Sequence, residues 1–261
     1  MTAYAHGRMR TIAVLAATAL YLYVSAAPAR DITAIRKGGV LRLATEGSTP
    51  PFNYYQNGRL IGFDVEIGDA IAEQLHLRSE WAASPFDTLS IGLQQGRYDL
   101  VVMGQAITPE RQRAVDFTVP YVCSGGVVVA LPGGPRHRSD LAGKTVGVQV
   151  GTTYLAALTQ VDHVGAVRTF QKDTDALQNL LAHRVDAWIS DRLTALYVAH
   201  QNPAFNLQVG EALFKERDGI AIAKGDSGLR DAVNVAIGVI LANGTYAAIA
   251  KRHFGQDVRC E

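Results

Sequence analysis

The strongest constraint in this sequence is a unit that occurs twice. Residues 89–104 (LSIGLQQGRYDLVVMG) and 176–191 (ALQNLLAHRVDAWISD) each run from a helical pattern through Arg-x-Asp into an apolar strand. Arg97 corresponds to Arg184 and Asp99 to Asp186, and the two strands end at Gly104 and Asp191. A second pair, VLRLATEG (40–47) and TVGVQVGTT (145–153), repeats a strand followed by a turn. Leu100-Val101-Val102-Met103 is the kind of apolar run that a strand covered on both faces requires. Ile67, Ile71 and Leu75 recur at helical spacing, as do Leu229, Val233, Ala236, Ile237 and Ile240. Asp87 reads as the N-cap of a helix that carries Leu89 and Leu93 and that Gly96 ends. Strands alternating with helices place the chain in the α/β class. Helix–strand units look alike in any such protein. The duplication therefore reads either as ordinary alternation or as two similar lobes, each a small open parallel sheet.

Residues 1–29 read as a leader outside the fold. His6, Arg8 and Arg10 precede an uncharged run from Ile12 to Val24, and small residues follow from Ser25 to Ala29. That layout is the one of a secretory signal peptide. The run falls short of the ~20 residues that span a bilayer, although a retained anchor helix is the competing reading. Cleavage after Ala29 or Ala26 fits. Loss of 29 residues leaves 232, with 23 basic and 24 acidic side chains, where the whole chain has a formal charge of +1. This balance lacks the clustered excess of Lys and Arg that tracks a phosphate backbone, so nucleic acid is excluded as a partner. Cys123 and Cys260 are too few for a zinc cluster, and no metal or cofactor is expected. In an oxidising compartment the two can pair, and whether they meet is left open by the sequence.

The chain passes between lobes near PYVCSGGVVVALPGG (120–134). A second passage near Glu211–Gly225 returns the last helices to the first lobe. Ligands of open α/β sheets bind outside the carboxyl ends of the strands, and three features sit there. Gly151-Thr152-Thr153 opens a helix, either as a plain capped turn or as a set of N–H groups aimed at an anion. In AITPERQR (106–113), Thr108 and Pro109 start a helix that points Arg111 back to a strand end. There it is either a surface arginine or a grip for a carboxylate. Asp191 either caps the next helix or holds an ammonium group. Together the three supply what a zwitterion needs.

Six segments now carry a resemblance: PPFNY (51–55), GRLIGFDVEI (58–67), PFDTLSIGLQQGRYDLVV (85–102), ITPERQRAVDFTVPY (107–121), GKTVGVQVGTT (143–153) and RVDAWISD (184–191). The chain resembles the extracytoplasmic solute-binding proteins, family 3, of amino-acid ABC transporters. The resemblance implies a type II periplasmic-binding-protein fold, with two lobes, each a mainly parallel sheet flanked by helices, joined by two hinge strands. Lobe 1 is expected over residues 30–122 and 216–261, and lobe 2 over 123–215. It further implies a monomeric periplasmic protein that closes on an amino acid and delivers it to a membrane permease.

By the same resemblance Arg111 binds the ligand carboxylate and Asp191 the α-ammonium. Thr152 and Thr153 form the second-lobe carboxylate contact, Phe86 packs on the ligand, and Gly104 contributes through its backbone. Glu46 matches an acidic position that meets basic ligand side chains in some relatives. Two departures stand out. Ala106 replaces a Ser or Thr, which removes one hydroxyl donor, and Thr49 replaces an aromatic wall that Tyr54 or Tyr55 would have to supply. The ligand is expected to be a polar or cationic amino acid, or cystine. A cyclohexadienyl dehydratase-like enzyme and a ligand-sensing partner of a receptor are the alternatives. No nucleophile elbow, phosphate loop or H-E-x-x-H motif supports catalysis.

Overall fold

A computed structural model describes residues 30–260. The first lobe opens with α1 (Ile32–Gly38), β1 (Val40–Thr45), β2 (Ser48–Thr49), β3 (Asn53–Gln56), β4 (Arg59–Ile61) and α2 (Phe63–Gln74). It continues with β5 (Arg78–Ala83), α3 (Phe86–Gln94), β6 (Leu100–Ala106), α4 (Pro109–Ala114), β7 (Val115–Phe117) and β8 (Val122–Ser124). The second lobe comprises β9 (Gly126–Ala130), β10 (Thr145–Gln149), α5 (Thr153–Leu158), β11 (Ala166–Phe170), α6 (Asp173–Leu181), β12 (Ala187–Asp191), α7 (Arg192–Gln201) and β13 (Gln208–Ala212). The chain then returns through β14 (Glu216–Ala223) to α8 (Ser227–Ala242) and α9 (Thr245–Phe254).

β2, β3 and β4 form a small antiparallel sheet, and the two larger sheets are ordered β5-β1-β6-β14-β7, with β8 also on β14, and β11-β10-β12-β9-β13. In each larger sheet three neighbouring strands are parallel, because helices cross between them. The strands that enter after a passage between lobes, β14 and β9, lie antiparallel to β6 and β12.

The duplication is visible atom by atom. The Asp99 N–H donates to the Arg42 carbonyl (2.8 Å), and its Oδ2 accepts from the Arg42 N–H (2.8 Å). Asp186 makes the same exchange with Thr145 on β10, at 2.7 Å each way. Each Arg-x-Asp thus locks the start of one strand to its parallel neighbour. The preceding helices end alike as well, through Gly96 (φ +66°) and His183 (φ +53°), so a histidine takes the left-handed place that glycine fills in the first copy. One expectation is corrected: α3 is capped by Pro85, extended at ψ 144°, and Asp87 lies inside the first turn without a capping bond. There its charge still complements the helix N-terminus.

Both larger sheets are covered on both faces, as alternation along single strands shows. On β6, Leu100 and Val102 face the core built with Ile67, Ile71, Val233 and Ile237, while Val101 and Met103 face Leu89 and Leu93. On β12, Trp188 packs with Leu177 and Leu180, and Ile189 with Val148 and Leu158. Among the described residues no single helix is long and apolar enough to cross a membrane.

The two passages between lobes touch. Gly125 joins β8 to β9 at φ +154°, and a Cβ there would meet the Phe214 carbonyl oxygen of the other passage at 2.0 Å. Only glycine fits that approach. Beside it Cys123 and Cys260 form a disulfide across 137 residues, with Cα atoms 5.0 Å apart, which ties the C-terminus to β8. Closing a loop of this length is worth up to ~5 kcal/mol in the chain-entropy treatment. Replacement of both cysteines by serine is expected to lower unfolding stability by about 2–5 kcal/mol in chemical denaturation. An unchanged midpoint would show that the cross-link restrains nothing in the unfolded chain.

Candidate functional site

A cavity lies between the lobes, at the carboxyl ends of β1, β6, β10 and β12. Glu46, Phe86, Gly104, Ala106, Arg111, Thr152, Thr153 and Asp191 all line it, so the structure brings together every residue singled out above for ligand contact.

Arg111 owes its place to α4. Thr108 caps that helix by accepting from the Arg111 N–H (3.2 Å), and Pro109 supplies the first turn. The guanidinium turns back over β6, where Nη1 donates to the Ala106 carbonyl (2.9 Å) and Nη2 reaches the Gly151 carbonyl of the other lobe (3.1 Å). It also lies 5.5 Å from the centre of the Phe86 ring, within cation–π range. Burial lowers its pKa and the neighbouring Glu216 carboxylate raises it. A guanidinium has five donors, so three remain for other partners.

Asp191 ends β12 and caps α7, its Oδ1 accepting from the Leu193 N–H (2.7 Å) and the Thr194 N–H (3.0 Å). Capping and a cavity position are therefore not alternatives for this residue. Burial raises its carboxyl pKa, against the pull of the helix amides. Thr152 is spent on structure: its hydroxyl donates to Gln149 O (2.8 Å) and accepts from the Leu155 N–H (3.2 Å). The Thr153 hydroxyl donates to Glu216 Oε2 (2.7 Å), and the Tyr154 hydroxyl donates to Oε1 (2.9 Å). Glu46 accepts from Thr49 (2.9 Å) and, across the lobes, from the Gln149 amide (2.7 Å). Burial raises its pKa too. Tyr54 and Tyr55 do not wall the cavity; on β3 Tyr54 is half-buried and Tyr55 is 55% exposed, and Phe52 lines the site instead.

Sequence reasoning missed five polar lining residues: Gln149, Tyr154, Asp173, Ser190 and Glu216. Asp173 is 4% exposed and accepts from Trp188 Nε1 (2.8 Å) and the Ser190 hydroxyl (2.7 Å). Glu216 begins β14, where two acids precede an apolar run; that mismatch was the available signal. Four carboxylates thus line the cavity against the single guanidinium of Arg111 among the described residues. The site is an electronegative chamber with one positive pole.

Burial pushes the Asp173 carboxyl up to about 7. Its folded pKa lies above the unfolded value of 3.8, so the folded state holds the proton more tightly. The stability contributed by this group is then fully present at low pH and is lost as pH rises from about 4 to about 7. Asp173→Asn, which keeps an acceptor for Trp188, is expected to raise the melting temperature of the unliganded protein at pH 8. It should also flatten the slope between pH 5 and 7. An unchanged profile would place the proton elsewhere.

Residues 41–256 match the family described as bacterial extracellular solute-binding proteins, family 3. Over 228 residues the chain is 33% identical to the L-cystine-binding protein TcyJ of Escherichia coli (strain K12), covering 86% of each chain. It is 34% identical over 234 residues to the L-arginine-binding protein of Pseudomonas aeruginosa, covering 84% of this chain and 89% of that relative. An ancestral arginine-binding protein solved with arginine superposes with a TM-score of 0.80 at 37% identity, covering 83% of this chain and 99% of that one. A duplicated α/β scaffold, a charged cavity at the strand ends and these matches lead to one statement: the chain belongs to the bacterial extracellular solute-binding proteins, family 3.

Proposed function

We propose that this protein is the amino-acid-binding component of an ABC import system. It acts in the periplasm as a monomer, after loss of residues 1–29, and hands its ligand to a membrane permease. Residues 30–122 and 216–261 form one moving lobe, and residues 123–215 form the other. The observation that carries this reading is the meeting, in one cavity, of Arg111 from the first lobe and Asp191 from the second. An α-amino acid presents a carboxylate and an ammonium group on one carbon. Arg111 grips the carboxylate, with the Thr153 turn beside it, and Asp191 holds the ammonium. Phe86 covers the ligand from the first lobe. Because the poles sit on different lobes, only a closed cleft satisfies both, and ligand shifts the open–closed equilibrium toward closure.

Charge counting narrows the ligand. A zwitterion occupies Arg111 and Asp191, and leaves Glu46 and Glu216 without a further cation in the cavity lining among the described residues. A second positive charge on the ligand compensates Glu46. Cystine brings a second carboxylate together with its second ammonium, so it adds no net positive charge, and no second guanidinium lines the cavity among the described residues. The balance favours arginine, lysine or ornithine. The ion pairs strengthen as water is expelled, and a ligand lacking either head group would leave a buried charge unpaired.

Arg111→Ala is expected to weaken L-arginine binding at least about 100-fold and to abolish the ligand-dependent rise in melting temperature. Glu46→Gln should weaken L-arginine more than L-glutamine. A full ligand response in the Arg111 variant would remove the proposed role, and turnover of prephenate by the purified protein would favour an enzyme instead.

A further inference from the structure

Asp64 is an acid outside the cavity, on the first turn of α2, with no exposed surface and no cation among its bonding partners. Its two oxygens are shared between two buried donors. Oδ1 accepts from the Tyr121 hydroxyl at 2.6 Å, and Oδ2 accepts from the Asn53 side-chain amide at 2.8 Å. Each donor then holds one backbone N–H. The Tyr121 oxygen accepts from the Gly104 N–H (2.7 Å), and Asn53 Oδ1 accepts from the Gly47 N–H (2.8 Å). Gly104 lines the cavity, and Gly47 directly follows Glu46, which does too. Both glycines are in the left-handed region, at φ +56° and +79°; Gly104 lies where β6 breaks register with β14, and Gly47 lies beyond the end of β1. Tyr121 is itself fixed by stacking on Phe63, ring centres 6.0 Å apart.

We propose that Asp64 is a positioning residue for the ligand cleft: one buried carboxylate sets the peptides at Gly104 and Gly47 through Tyr121 and Asn53, and so sets both ligand-facing loops of the first lobe. This rests on the amino-acid-binding reading above. The chain of bonds has a direction. A carboxylate only accepts, so both neighbours must donate to it, and each in turn accepts from a peptide. In Asp64→Asn the new side chain would turn its own NH2 toward one of the two donors. Rotating Asn53 to relieve that conflict aims the Asn53 NH2 at the Gly47 N–H. Exchanging the two residues, as N53D/D64N, reverses the polarity without conflict. The carboxylate moved to position 53 accepts from the Gly47 N–H and from the amide NH2 at position 64, while the amide oxygen at position 64 accepts from Tyr121. The exchange keeps the net charge as well.

The test compares D64N, N53D, the double variant N53D/D64N and the core variant V233A with the wild type. Two quantities are read: calorimetric affinity for L-arginine, L-glutamine and L-cystine, and the amide resonances of Gly47 and Gly104. Each single variant should move both glycine resonances and weaken the bound probe at least about tenfold, while the exchange returns affinity to within about threefold. V233A, which only loosens the core, should lower the melting temperature without moving either glycine. Folded single variants with native affinity and native glycine resonances would overturn the proposal, as would an exchange no better than its parts. If the single variants do not fold, the exchange decides: a native Gly104 resonance with affinity within about threefold of wild type upholds the network, and loss of either overturns it. A wild type that binds none of the three probes would defeat the binding reading, while the glycine resonances still judge Asp64.

Discussion

A guanidinium between two lobes cannot sit in a dry cleft without compensation, and here the compensation is spread over both halves of the molecule. Arg111 reaches across to the Gly151 carbonyl, and Glu216 draws Thr153 and Tyr154 from the opposite lobe. Glu46 and Gln149 add a second bridge between equivalent strand ends. Each group is expensive to bury alone, and a missing partner costs more than the pair is worth. The lobes are thus held in register by charge, and a ligand competes within that balance.

The scaffold makes such a balance possible because it repeats one device. Each Arg-x-Asp strand is locked to its neighbour by the same two bonds, so the strand ends in both lobes come out at comparable positions. Two chain passages that touch at Gly125 and Phe214 let these ends face each other. The disulfide closes the same region from the C-terminal side. The bonds that cross the cleft in this region are polar, from Arg111 to Gly151, from Thr153 and Tyr154 to Glu216, and from Gln149 to Glu46.

How much of this was legible varied with the range of the interaction. Arg111 was legible because its placement is local: Thr108, Pro109 and a strand end decide it within a few residues. Asp191 was legible for the same reason, at a strand-to-helix junction. Asp87 was misread as a cap because Pro85 offered an extended residue two positions earlier. Asp173 gave no sign, since its meaning depends on Trp188 and Ser190, which the sheet brings to it from the next strand. Glu216 likewise acquires its role from Thr153, 63 residues away.

The sequence by itself determined the alternation of strands and helices, the duplicated unit, the caps at Thr108 and Asp191 and the residues that end the strands. Those depend on side-chain periodicity and on bonds spanning a single turn. Only the tertiary structure decided that four carboxylates share one chamber with one arginine, and that Cys123 meets Cys260. It also decided that Asp64 is linked through Tyr121 and Asn53 to the peptides of Gly104 and Gly47. Long-range partners are chosen by the packing of whole sheets, and no stretch of chain carries the coordinates of a neighbour it has yet to meet.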